Sequence, residues 1–134
     1  MKSLSILLID DDKIERLKFL KVCKKINIHN AIWEAPNGAI ALDILQKKNF
    51  TFDLIISDIN MPKMDGFEFL KSLKTYQESK LIPVVMMSTS ENIEDLERCY
   101  KLGISGYFSK PLKYKEYLSK VTSLLEYWGK ANLA

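Results

Sequence analysis

Apolar positions along the chain follow two periods, one typical of buried strands and the other of amphipathic helices. Nearly continuous apolar runs predict strands at residues 4–9, 31–35, 52–57, 82–87 and 105–108. The run at 31–35 is weaker and is a candidate for a sheet edge. Runs as apolar as 4–9 and 52–57 are expected where both faces of a parallel sheet are covered.

The segments between these strands carry apolar residues three and four positions apart, which predicts helices. Asp12 is expected to cap the first helix, with Glu15 in the position that completes a capping box. Asn37 is expected to cap the second, and the third spans residues 66–74. The apolar positions of the first helix, mostly on one side, are Ile14, Leu17, Leu20, Cys23 and Ile26.

The fourth and fifth helices complete the alternation. Thr89 or Ser90 is expected to start the fourth helix, and Gly103 to end it as a left-handed cap. Its apolar positions are Ile93, Leu96 and Tyr100, and those of the last helix are Tyr114, Tyr117, Leu118, Val121, Leu124, Leu125 and Trp128. Five strands alternating with five helices predict an α/β fold, with a parallel sheet covered on both faces and right-handed crossovers. We expect one domain over residues 1–134.

Composition narrows the class of protein without identifying it. The 134 residues are 47% hydrophobic and 28% charged, with a net charge of +3, which is ordinary for a soluble domain. No apolar run approaches the roughly 20 residues that span a bilayer, so we expect a cytoplasmic protein with no membrane partner. Lysines are spread along the chain without a basic block and interleaved aromatics, which argues against nucleic-acid binding. Cys23 and Cys99 are expected to be reduced core residues.

Polar residues end the strands at one edge of the predicted sheet. In open parallel sheets, sites form outside the carboxyl ends of the strands, near the switch in strand order. The residues that fall there are Asp10, Asp11, Asp58, Ser88 and Lys110. His29, the only histidine, is expected on the surface at the opposite edge, so the chain offers no obvious general base.

The three carboxylates at this edge predict a divalent cation. Crowded carboxylates repel and raise one another's pKa values, and a hard cation such as Mg²⁺ removes that cost. Helix capping is the simpler explanation of an aspartate here, but it needs only Asp12 and leaves Asp10 and Asp11 unexplained. Lys110 is placed to pair with Asp58 or with an anion attached to it.

Pro111, Ser88 and Tyr107 each have a structural explanation beside the functional one. Pro111 permits a cis peptide that would direct the Lys110 side chain. A plain strand-ending turn explains it in isolation, but this explanation is weak at a strand end opposite the acidic cluster. Ser88 could cap the fourth helix, but Thr89 and Ser90 already suit that role, so we expect the Ser88 hydroxyl to serve a phosphate. Tyr107 fits simple core packing at least as well as a functional role.

Together these motifs make the chain resemble the receiver domain of two-component response regulators, over essentially its whole length. They are Asp10-Asp11 after strand one, the run 57–66 (Ser57-Asp58-Ile59-Asn60-Met61-Pro62-Lys63-Met64-Asp65-Gly66), Ser88 after strand four and Lys110-Pro111 after strand five. The resemblance implies a flavodoxin-like doubly wound (βα)5 sheet in the order 2-1-3-4-5. It also implies a signalling switch rather than an enzyme, although such a domain assists its own phosphorylation and dephosphorylation.

The resemblance also implies residue roles. Asp58 matches the phosphoacceptor, and Lys110 the lysine that pairs with the phosphate. Asp10, Asp11, Asp58 and the backbone carbonyl of Asn60 match the Mg²⁺ site, and of the acidic pair Asp11 is the one expected to bind the ion directly. Ser88 and Tyr107 match the switch hydroxyl and the switch aromatic.

Other matching positions bear on the phosphate's lifetime and on subtype. Asn60 and Ser90 match positions that influence how fast water removes the phosphate. Thr89 is larger than the residue usual at its position and is expected to narrow access to Asp58. The segment 88–90 and the pair Tyr127-Trp128 look similar to single-domain regulators paired with bacterial phytochromes.

The resemblance implies a sensor histidine kinase or a histidine phosphotransfer protein as the phosphoryl donor, and a downstream protein as the reader. A homodimer through the last helix is left open. The alternatives are a receiver that signals without phosphorylation, an aspartyl-phosphate phosphatase and a flavin-binding electron carrier. The phosphatase usually needs a second acid where Asn60 stands, and the flavin carrier needs a phosphate loop where Asp10, Asp11 and Asp12 stand.

Overall fold

The structure is a computed structural model of the chain and describes residues 3–26, 31–47 and 51–133. The position predicted for His29 lies outside these residues. The strands are β1 (Ser5–Ile9), β2 (Ala31–Ala35), β3 (Leu54–Ser57), β4 (Val84–Ser88) and β5 (Gly106–Ser109). The helices are α1 (Lys13–Lys25), α2 (Gly38–Lys47), α3 (Gly66–Leu73), α4 (Ile93–Lys101) and α5 (Tyr114–Lys130).

The strands form one parallel sheet in the order β2-β1-β3-β4-β5. Leu7 of β1 pairs with Trp33 on one side and with Ile55 on the other, so the strand order reverses around β1. The weaker strand β2 lies at an edge, as its pattern predicts. The predicted α/β fold class and the order 2-1-3-4-5 are confirmed.

Successive residues of the central strands point to opposite faces of the sheet and build a core on each. Leu7 and Ile9 belong to the core beneath α2, α3 and α4, whereas Ile6 and Leu8 belong to the core beneath α1 and α5. Helix α5 contributes Tyr117, Val121, Leu124 and Leu125 to the second core. Because each central strand is buried on both sides, its carboxyl end is fixed relative to its neighbours.

The helix ends correspond only in part to the sequence signals. Asp12 caps α1 by accepting a hydrogen bond from the Ile14 amide, but its box with Glu15 does not form. The capping box lies instead at α3, where Asp65 and Glu68 exchange hydrogen bonds. Asn37 accepts from the amide of Ile40, as predicted for the start of α2. Gly103 follows α4 with a φ of 96°, the left-handed cap that the sequence predicts.

The predicted start of α4 is wrong. The chain continues past Thr89 and Ser90 as a loop, and Asn92 caps the helix by accepting from the Glu94 amide. Ser90 instead uses its hydroxyl within the loop, where it accepts from the amide of Asn92.

The predicted apolar faces of α1 and α4 are also partly wrong. Ile14 and Leu17 are 74% and 53% exposed, and α1 packs through Phe19, Val22 and Cys23. In α4, Ile93 and Tyr100 are exposed, and the residue buried is Cys99. Spacing of three and four identifies a helical face, but the sheet decides which face it covers. Among the described residues, no helix is long and apolar enough to span a membrane.

Candidate functional site

Three carboxylates meet at the carboxyl edge of the sheet. Asp10 directly follows β1 and Asp58 directly follows β3, the two strands at which the strand order reverses. One carboxylate oxygen from each of Asp10, Asp11 and Asp58 lies within 4.8 Å of the others. Asp10 is buried, Asp58 is partly buried and Asp11 is exposed, so the cluster opens toward solvent at Asp11.

Lys110 reaches into this cluster from the end of β5. Its Nζ donates to Asp10 Oδ2 at 2.7 Å and to Asp58 Oδ2 at 3.2 Å. The side chain of Lys110 is 10% exposed, and those of Asp10 and Asp58 are 7% and 14% exposed. Two carboxylates that follow different strands therefore share one nearly buried ammonium group.

The backbone of Lys110 is held by the neighbouring strand. Its amide donates to the carbonyl oxygen of Ser88 at 2.8 Å, which extends the β4–β5 pairing by one step. The peptide bond between Lys110 and Pro111 is trans, so the cis bond that the sequence permits is not formed. The direction of the lysine side chain follows from strand pairing and from its two ion pairs.

Burial and charge shift the pKa values in this pocket. Burial raises the pKa of Asp58, and the nearby charge of Asp10 adds to the effect, while Lys110 opposes it. For Lys110, burial acts to lower the pKa, but the hydrogen bond that Lys110 donates to Asp10 and the charges of Asp58 and Asp10 outweigh it, so its pKa is raised. The pocket therefore keeps Lys110 protonated. The charge of Lys110 only partly offsets the cost of burying the ionised Asp58 carboxylate.

The segment after β3 holds the carboxylate of Asp58 in place. Asp58 Oδ1 accepts from the Ile59 amide at 2.7 Å, and the Asp58 amide itself donates to Ile9 at 2.9 Å. The loop returns so closely at Gly66 that a Cβ there would lie 2.6 Å from the Asp58 carbonyl oxygen. Asn60, two residues beyond Asp58, is exposed.

A hydrogen-bond network centred on Ser90 lies beside the pocket. Ser88 is fully buried at the end of β4, and its hydroxyl oxygen accepts from the Ser90 amide at 3.1 Å. The Ser90 hydroxyl donates to Asp95 of α4 at 2.8 Å, and the Ser90 carbonyl accepts from the Tyr107 hydroxyl at 3.1 Å. Thr89, expected to narrow access to the pocket, is itself exposed. The network joins β4, β5 and α4.

Sequence reasoning overlooked Arg16, which contacts the pocket from α1. Its Nη1 donates to the Asp10 carbonyl oxygen at 2.6 Å, and its Nε pairs with Glu34 at 3.1 Å. One signal was available, because Arg16 is one of only two arginines in a chain with 20 basic residues.

The donor set of the acidic cluster fits a hard divalent cation. All the clustered side-chain atoms are carboxylate oxygens, the ligands that Mg²⁺ and Mn²⁺ prefer. In the described part of the chain, the Asp11 carboxylate has no hydrogen bond or ion pair and remains available as a ligand. Its exposure leaves room for the water that Mg²⁺ usually retains.

Fold and site together define the class of protein, a receiver-type switch on a five-stranded parallel sheet. Residues 6–122 match the family model described as the response regulator receiver domain. The chain therefore belongs to the response regulator receiver domain family of two-component signalling. Receiver domains are signalling switches that are phosphorylated by histidine kinases or phosphotransfer proteins and bind Mg²⁺ or Mn²⁺ at an acidic pocket.

Individual relatives agree with this assignment. The chain is 32% identical over 123 residues to the chemotaxis protein CheY-3 of Vibrio cholerae, covering 90% of this chain and 92% of that protein. It is 30% identical over 128 residues to the response regulator Rcp1 of Synechocystis, covering 92% and 87%. Its fold matches the phosphorylated cyanobacterial phytochrome response regulator RcpA with a TM-score of 0.91, at 28% identity and 98% coverage of both chains. The Mn²⁺-bound form of Rcp1 matches with a TM-score of 0.89, at 29% identity and 98% and 99% coverage.

Proposed function

We propose that this protein is a phosphorylation-controlled switch that accepts a phosphoryl group on Asp58 from a sensor histidine kinase or a histidine phosphotransfer protein. Residues 1–134 would act as a single receiver domain in the cytoplasm, where its free thiols Cys23 and Cys99 would stay reduced. The observation that carries the proposal is the placement of the Lys110 ammonium group 3.2 Å from Asp58 Oδ2 and 2.7 Å from Asp10 Oδ2.

In the proposed reaction, an Asp58 carboxylate oxygen attacks the phosphorus of phosphohistidine. The new O–P bond forms as the P–N bond breaks, and the electron pair of that bond stays on the imidazole nitrogen. Lys110 is placed to neutralise charge on the transferring oxygens, so positioning and electrostatics supply most of the catalysis. Mg²⁺, held by Asp10, Asp11, Asp58 and the carbonyl of Asn60, would supply further charge neutralisation when bound.

Two exposed apolar side chains that are close in sequence to the pocket residues are consistent with a protein as the phosphoryl donor. Ile14, in the first turn of α1, is 74% exposed, and Leu112, two residues after Lys110, is 98% exposed. Such side chains would add apolar contact area for a protein that docks over the pocket. A donor that covers them would also exclude water from Asp58 during transfer.

The network around Ser90 is the proposed means of transmitting the phosphorylation. The Ser88 hydroxyl would turn from the Ser90 amide toward the new phosphoryl oxygens, and the β4–α4 loop and Tyr107 would then repack. Ser90 lies in the loop that follows the carboxyl end of β4, and Asn60 is exposed two residues after Asp58. We therefore assign both residues an influence on the rate at which water removes the phosphate.

The surface expected to change is the groove between α4, β5 and α5, about 380 Å³ in volume. Its aromatic side chains are Tyr100, Tyr107, Phe108, Tyr127 and Trp128. Tyr107 belongs both to the network and to this groove, so its movement would alter the groove directly. A downstream protein, or a second copy of the chain, would bind there, as suits a regulator of the phytochrome-paired type.

The test is incubation with Mg²⁺ and acetyl phosphate, followed by intact-protein mass spectrometry. Wild type should gain one phosphoryl group and Asp58→Asn none. Asp53→Asn, at the opposite end of β3, is the matched control and should be phosphorylated like wild type. A wild-type chain that gains no phosphoryl group would favour a receiver that signals without phosphorylation. Steady turnover of a phosphate ester would favour a phosphatase.

A further inference from the structure

The guanidinium group of Arg16 bridges two elements beside the acidic pocket. Its Nη1 donates to the carbonyl oxygen of Asp10 at 2.6 Å, and its Nε pairs with Glu34 Oε1 at 3.1 Å. The Arg16 side chain is 15% exposed and that of Glu34 is 40% exposed. The contact therefore links the start of α1 to β2 across the end of β1.

This contact completes the constraints on Asp10. The Asp10 amide donates to Ala35 at 3.0 Å, its Oδ1 accepts from the Asp12 amide at 3.0 Å, and its Oδ2 accepts from Lys110. The carbonyl is the remaining polar group, and Arg16 holds it. With both its amide and its carbonyl engaged, residue 10 sets the direction in which the chain continues into Asp11.

The geometry needs an arginine. A planar guanidinium group presents donors to two acceptors in a fixed arrangement, whereas a lysine ammonium group on a flexible stem does not. Most basic residues of this chain are lysines, and the other arginine, Arg98, stacks over the ring of Phe67 on a different part of the fold.

We propose that Arg16, held by Glu34, is a positioning residue for the cation site. It fixes the backbone of the β1–α1 loop so that the Asp10 and Asp11 carboxylates face Asp58. The inference rests on the cation site of the proposed function, but not on phosphorylation. Groups that orient ligands without touching the metal commonly change metal affinity by about 10- to 100-fold when they are replaced.

The positive charge of Arg16 and its positioning of the loop predict opposite effects on cation affinity when Arg16 is replaced, which makes the inference testable. Arg16 carries a positive charge next to a cation site, so Coulomb repulsion alone predicts that removing this charge strengthens cation binding. Loss of positioning predicts weaker binding. Arg16→Lys keeps the charge and removes the two-acceptor geometry, so any change in affinity reports the geometry.

The experiment is a Mn²⁺ titration of the full chain, with free Mn²⁺ measured by electron paramagnetic resonance. Arg16→Lys and Glu34→Gln are the test variants, Asp11→Asn is the ligand control and Arg98→Lys is the matched arginine control. We expect Arg16→Lys to weaken Mn²⁺ binding by about tenfold or more, Glu34→Gln to weaken it less, and Arg98→Lys to leave it unchanged. Thermal unfolding without cations is recorded in parallel for each variant.

The outcomes separate this inference from the proposed function. If Arg16→Lys unfolds at a lower temperature but binds Mn²⁺ like wild type, Arg16 is a structural residue only and the inference is overturned. If Arg16→Lys weakens binding while wild type takes no phosphoryl group from acetyl phosphate, the inference stands and the proposed function fails. If wild type and Asp11→Asn bind Mn²⁺ equally, the cation site and the inference both fail.

Discussion

The hydroxyl of Tyr107 donates a hydrogen bond of 3.1 Å to the carbonyl oxygen of Ser90. Tyr107 lies in β5 and Ser90 in the loop before α4, so the bond joins two elements of the proposed output surface. Through its amide, Ser90 is also bound to the buried hydroxyl of Ser88. A change at Ser88 can therefore reach the tyrosine through Ser90.

Replacing Tyr107 by Phe should loosen the β4–α4 loop without opening the acidic pocket. The loss of one partly buried hydrogen bond is expected to lower the free energy of unfolding by about 1 kcal/mol. Urea denaturation measures this change. Tyr127→Phe is the control, because the Tyr127 side chain is 65% exposed in the same groove and should tolerate the change. Equal stability of the two variants would contradict a structural role for the Tyr107 hydroxyl.

The raised pKa of Asp58 predicts a pH-dependent stability difference. Because the pKa of Asp58 is higher in the folded chain than the ordinary value of 3.8, protonation of this carboxyl stabilises the folded state. This stabilisation is complete at pH values below 3.8 and is lost as the pH rises through the folded-state pKa. Asp58→Asn removes the penalised charge. Without divalent cations, the variant should unfold at a higher temperature than wild type near neutral pH, and the difference should shrink as the pH falls toward about 4.

The measurement for this prediction is thermal unfolding followed by circular dichroism at a series of pH values in the presence of a chelator. Asp43→Asn, an exposed change on α2, serves as the control. A difference between Asp58→Asn and wild type that grew on acidification would have the wrong sign.

Mg²⁺ should stabilise the folded chain through Asp11. A ligand that binds only the folded state at a concentration 100 times its dissociation constant adds about 2.7 kcal/mol. Asp11→Asn should lose much of this gain, because the Asp11 carboxylate belongs to the cluster, is exposed and has no partner among the described residues. Asp12→Asn is the matched control, since asparagine also caps helices well and Asp12 is outside the cluster. Thermal unfolding over a Mg²⁺ titration measures the gain, and equal gains in both variants would refute the assignment.

Gly66→Ala should disturb both the stability and the site. The added Cβ would lie 2.6 Å from the Asp58 carbonyl oxygen and 2.9 Å from the Ile59 Cα, and these backbone atoms have little freedom to move. We expect a loss of about 1–3 kcal/mol, together with slower phosphorylation by acetyl phosphate. Gly106→Ala is the control, because its Cβ would find its nearest neighbours at 3.8 Å. Similar behaviour of the two alanine variants would show that the close approach at Gly66 is unimportant.

Much of the fold could be predicted because the local pattern of apolar residues determines where strands and helices form. Apolar runs located all five strands to within one or two residues, and β2 was recognised as an edge from its weaker pattern. Errors arose where a local signal had competitors. Three consecutive polar residues, 88–90, all suit a helix cap, and only the path of the loop shows that Asn92 takes that role.

The sequence by itself determined the strand and helix order and therefore which polar residues follow the carboxyl ends of the strands. Period and chain order are local properties, and parallel pairing brings those ends to one edge. Only the tertiary structure decided that Lys110 is shared by Asp10 and Asp58, that Tyr107 bonds to Ser90, and that Arg16 holds the Asp10 carbonyl. Each of these contacts depends on distances between elements far apart in the chain, which packing sets and no local pattern records.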